Sequence, residues 1–74
     1  MEVTLALRDF VSRTASRMLG YRSKWEVTNT YLALYAKAEN MDNLNMLIER
    51  VDVQDQRVKE ALMEVQRELK KSGV

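Results

Sequence analysis

Glu60, Glu64 and Glu68 recur at four-residue steps near the end of this 74-residue chain. On a helix that spacing lines three carboxylates along one face, the kind of row that could trade a proton or hold a hard cation. The row falls largely away from the apolar stripe of its segment, so a solvated acidic face is the expectation. Ser12, Ser16 and Ser23 supply hydroxyls, but the chain has no His and no Cys. That removes the usual base for a serine, the thiol nucleophile and the common zinc ligands. No Asp/Asn/Gly loop of calcium-binding spacing and no Gly-rich phosphate loop is present. The chemistry points to a non-enzymatic protein without catalytic residues, cofactor or metal.

Arg13, Arg17 and Lys24 fall on one helical face, with Arg8 and Arg22 on the other flank. Residues 8–24 carry these five basic groups against the single acid Asp9. Contact with anionic lipid or another anion is one use for Arg13, Arg17 and Lys24, since each cation near a charged membrane surface contributes about 1 kcal/mol. The other is a charged flank that keeps a helical bundle in water. The whole chain carries 12 basic and 11 acidic residues, a net of +1, which disfavours a strong field for nucleic acid. No nucleic-acid-binding signature accompanies the arginines.

Proline is absent, and Gly20 and Gly73 are the only glycines, which suits helices. Leu7, Val11, Thr14, Met18, Tyr21, Trp25, Thr28, Leu32 and Tyr35 follow one another at alternating steps of four and three, a seam of heptad type. A second seam runs Met41, Leu44, Ile48, Val51, Asp55, Val58, Leu62, Val65, Leu69. Continuing the first seam lands on Glu39, Asp42 and Met46, so the stripe rotates between Tyr35 and Met41. Asn40 and Asp42 there are good N-caps. The reading is all-α: an antiparallel hairpin of two long helices, residues 3–38 and 43–71, with a hinge near residues 38–43. The alternative is one continuous helix with local over- or underwinding. At 1.5 Å per residue the two helices would be about 54 and 44 Å long. The first seam passes through Gly20 in register, which makes Gly20 a tolerated weak point rather than a boundary.

A chain this short buries only about 60% of its unfolded surface, and small folds add disulfides, metals or a second subunit. Leu5, Phe10, Leu19, Val27, Tyr31 and Leu34 lie off the first seam, and Met46, Leu47, Val53 and Met63 off the second. This surplus, with the apolar seam residues as the interface, predicts a homodimeric four-helix bundle or association with another helical protein. Asp55 interrupts the second seam. In a hairpin it comes opposite Trp25, near Arg22 and Lys59, where it could set the register; a wet, frayed spot is the plainer account.

The stretch LRDFVSRTASRMLGYR, residues 7–22, resembles the opening of the BAR domain in sorting nexins. Leu7, Asp9 and Phe10 match its start, Arg22 the basic residue about a dozen positions on, and the polar tip near Lys37–Asn43 and the KEAL and REL segments match a returning helix. The resemblance implies a dimerising, crescent-shaped module that senses or bends endosomal membrane in protein transport, with Arg13, Arg17 and Lys24 as the lipid contacts. BAR domains have three long helices preceded in sorting nexins by a phosphoinositide-binding domain, whereas this chain has room for two shorter helices. In size and architecture the chain is also similar to the small helical-hairpin chaperones of type III secretion. No apolar run reaches the roughly 18 residues of a membrane span, and the acidic start MEVTLALRDF is not a secretory signal. A cytoplasmic chain, peripheral at a membrane if the basic face is used, is the corresponding expectation.

Overall fold

Thr4 opens the first helix: its side-chain oxygen accepts a hydrogen bond from the Leu7 amide at 3.1 Å, satisfying one of the free donors of the first turn. The computed structural model describes residues 1–20, 23–52 and 54–72. They form α1 (Leu5–Leu19), α2 (Lys24–Lys37), α3 (Met41–Glu49) and α4 (Gln56–Lys71). Tyr21, Arg22 and Val53, to which the sequence reading gives a place, lie outside the described residues.

The all-helical expectation holds, but two long helices do not. Each long segment is broken once. Gly20 ends α1 with φ 73° and ψ −164°, and its amide bonds the Ser16 carbonyl at 3.0 Å. That conformation is open to glycine and nearly closed to residues with a Cβ. Gly20 is therefore a boundary, not a tolerated weak point. The second break lies between Glu49 and Gln56, where Val51, Asp52 and Asp55 are all weak helix formers. Asp55 then caps α4, its Oδ1 accepting from the Arg57 amide at 2.9 Å.

The break between α2 and α3 falls inside the 38–43 hinge. Ala38 is extended and its amide bonds back to the Leu34 and Tyr35 carbonyls. Asn40 caps α3, with Oδ1 accepting from the Asn43 amide at 2.8 Å.

Four short helices can surround a core that two long ones cannot. α1 packs on α2 and α4, α2 also meets α3 and α4, and α3 packs on α4. Of the seam residues, Leu7, Val11, Leu32, Leu44, Ile48, Val58, Leu62, Val65 and Leu69 are buried inside this one chain, and Tyr35 and Val51 are half-buried. Val27 and Tyr31, off the seam, are completely buried, whereas Trp25, on it, is 58% exposed. The break after Gly20 releases α2 from the phase of α1, and its buried stripe becomes Val27, Thr28, Tyr31 and Leu32. Much of the apolar surplus that called for a second subunit is thus covered by the chain itself.

Candidate interaction surface

A polar link joins three helices through the core. The Tyr31 hydroxyl of α2 donates to Gln66 Oε1 of α4 at 2.9 Å, and Gln66 Nε2 donates to the Met41 carbonyl at the start of α3 at 3.3 Å. Tyr35 stacks on Tyr31, ring centroids 6.3 Å apart. Burial, and secondarily the Tyr35 hydroxyl, push the Tyr31 pKa well above the ordinary tyrosine value. A phenol so held stays protonated and serves as a donor that fixes where α2, α3 and α4 meet. Thr28, also fully buried, has a hydroxyl without a hydrogen-bond partner among the described residues.

The acidic row is divided among different surroundings. Glu60 is exposed, Glu64 is paired with Arg67, and Glu68 lies 3.8 Å from Arg17 across the α1–α4 junction. Among the described residues no group of three or more potential ligands is placed to hold a metal ion. No helix among them is long and apolar enough to cross a membrane.

The basic residues do not form the single face that an unbroken helix would give them. Arg13 and Arg17 share α1, Arg13 bridging Asp9 at 3.2 Å and Arg17 reaching Glu68. Lys24 opens α2 beyond the Gly20 break, with its ammonium 5.6 Å from the Trp25 ring centroid. Asp55 is not part of a helical seam, and it borders one cleft with Glu26 of α2. It is exposed and spent on capping α4, because the chain turns at that point instead of passing through it as helix. Arg22, its expected partner, is among the residues not described.

Apolar side chains remain outside the core. Leu5 is 86% exposed, and Val3, Met18, Trp25 and Met46 are also open to solvent. Among the depressions formed by the described residues, two stand out. An open, acidic cleft of about 520 Å³ is lined by Glu26, Thr30, Val51, Asp52, Gln54 and Asp55. A smaller apolar groove of about 200 Å³ lies between α1 and α4, lined by Thr4, Ala6, Leu7, Phe10, Leu69 and Ser72. The seam reading missed this groove because it assigned Leu7 and Leu69 to an interface and gave Phe10 no place. The signal available was the surplus of apolar residues at the start of α1. No protein-family model, curated protein or solved structure matches the chain.

Proposed function

We propose that this chain is a non-enzymatic helical interaction module that joins another helical protein, or a second copy of itself, through apolar side chains left outside its core. One observation carries the reading: a self-covered four-helix core coexists with Leu5 and Trp25 standing largely in water. Large apolar side chains held out on a rigid scaffold are a common feature of interaction surfaces. An anionic membrane is a weaker occupant, since Arg13 and Arg17 already face Asp9 and Glu68.

The reading is tested with tagged full-length chain by sedimentation at micromolar concentration and by cross-linked capture from the native source. Association should be lost in Leu5→Ser or Trp25→Ser while circular dichroism stays unchanged. A parent chain that sediments as a monomer and captures nothing sinks the reading.

A further inference from the structure

Resting on the second-copy form of that reading, we propose that two chains pair by exchanging α1. Gly20 opens, α1 and α2 run together as one helix, and each α1 packs on α2 and α4 of the other chain. The exchange sacrifices no interface. α1 is the first element and is held to its own chain by packing on α2 and α4. A second copy offers the same two surfaces, which is why exchange of an identical element is a low-cost route to a dimer.

The junction after α1 is the weakest stop in the chain. Thr4, Asn40 and Asp55 each accept an amide hydrogen bond at the start of α1, α3 and α4. α2 starts without such a cap. Ser23, which precedes it, makes no side-chain capping bond among the described residues, and its backbone lies in the right-handed helical region at φ −98° and ψ −1°. Among the described residues the departure from helix between α1 and α2 rests on Gly20, which alone has a positive φ. Glycine passes between that conformation and a helical one more readily than any residue with a Cβ.

The apolar pattern supports the joined form. Met18 and Trp25 are seven residues apart, so a joined helix sets them on one face two turns apart. In the compact chain they are 41% and 58% exposed, because α2 buries the stripe of Val27, Thr28, Tyr31 and Leu32 instead. The unbroken step of the first seam across Gly20 therefore has no role in the compact chain, and it has one in a joined helix. In the exchanged pair the two joined helices pass each other at the junction, with Met18 and Trp25 where they cross. Covering these side chains is the gain that offsets the freedom lost on association.

The chain has no Cys, so introduced thiols can report which chain supplies α1. Arg17 and Glu68 lie 3.8 Å apart across the α1–α4 junction. A chain carrying Arg17→Cys and Glu68→Cys is concentrated, separated into monomer and dimer by size exclusion, diluted and treated at once with a short bis-maleimide. The monomer should be bridged within itself, and the dimer should become covalent on a denaturing gel. Gly20→Ala removes both the ease of positive φ and the cost of glycine in a helix. It should lower the dimer dissociation constant about a hundredfold, about tenfold for each of the two hinges. D-alanine in place of Gly20 keeps the positive φ and opposes the joined helix. It should abolish the dimer and leave the circular dichroism of the monomer unchanged. Trp25→Ser should weaken the dimer at least about tenfold.

A dimer bridged only within single chains would overturn the proposal. So would a D-alanine chain that dimerises like the parent, or a Gly20→Ala chain that stays monomeric at the highest soluble concentration. Should Gly20→Ala fail to fold, the cross-link and the D-alanine chain decide alone. Failure here is separable from failure of the broader reading. A chain that never exchanges α1 but captures another helical protein in a Trp25-dependent way keeps its role as an interaction module and loses only this pairing.

Discussion

The Tyr31 hydroxyl spends its proton on Gln66 deep among α2, α3 and α4, and its pKa is raised by burial. A folded-state value above the unfolded one, about 10, contributes stability that is fully present below pH ~10. That contribution is lost as pH climbs toward the folded value. Urea denaturation between pH 8 and 12 should therefore show stability falling above about pH 10. Tyr31→Phe should flatten that part of the decline while costing about 1–2 kcal/mol at neutral pH, because Gln66 Oε1 loses its donor. Thr28 makes the opposite case. Its buried hydroxyl bonds to nothing among the described residues, and valine has nearly the same shape. Thr28→Val should raise stability by about 1 kcal/mol in the same titration; a loss of that size would mean the hydroxyl has a partner in solution.

Helix boundaries are decided by residues of two kinds, caps and conformational exceptions. At Gly20 an added Cβ would meet nothing within 4 Å beyond its own chain neighbours, so Gly20→Ala is opposed by the cost of φ 73° with ψ −164° rather than by tertiary crowding. That cost is about 1–3 kcal/mol, measurable by denaturation, and a D-alanine introduced by chemical ligation should avoid most of it. The boundary at Ala38–Asn40 was legible because two signals coincide there, a cap and a rotation of the apolar stripe. The other two were not. The stripe crosses Gly20 without losing register, which hid the positive φ. The second seam likewise keeps its step through Val51 and Asp55, though the chain there is not helical. Asp55 was visible as a polar residue on an apolar stripe, but cap and register charge look alike until the backbone is known. The same effect reached the candidate site: with α1 and α2 fused into one helix, Trp25 belonged to the seam and the basic residues to one face.

At the scale of the molecule, the described residues span 29 × 25 × 19 Å with a radius of gyration of 11.0 Å, close to the ~11 Å of a compact domain this long. A rod the length of the expected first helix, about 54 Å, would alone have a radius of roughly 16 Å. Small-angle scattering at low concentration should return a value near the compact figure, allowing for hydration. A value near that of the rod would restore the long hairpin. Every helix packs on its successor in sequence, and loop closure between neighbours is cheap. The α1–α4 contact alone joins the far ends of the chain, and the apolar groove lies along it.

That closure makes the order of the helices along the polypeptide nearly arbitrary. Thr4 and Ser72 border one groove, so the two ends of this 74-residue stretch can be tied by a short Gly-Ser linker. New ends can then be opened in the connector between Arg50 and Asp55, giving the order α4, α1, α2, α3. The rearranged chain forfeits the bond from the Met1 amine to the Ala38 carbonyl, worth about 1 kcal/mol or less, and keeps every helix interface. It should show the parent's helical circular dichroism and melt cooperatively a few degrees lower. A permutant that stays unfolded would mean that α3 and α4 must be joined directly for the core to assemble.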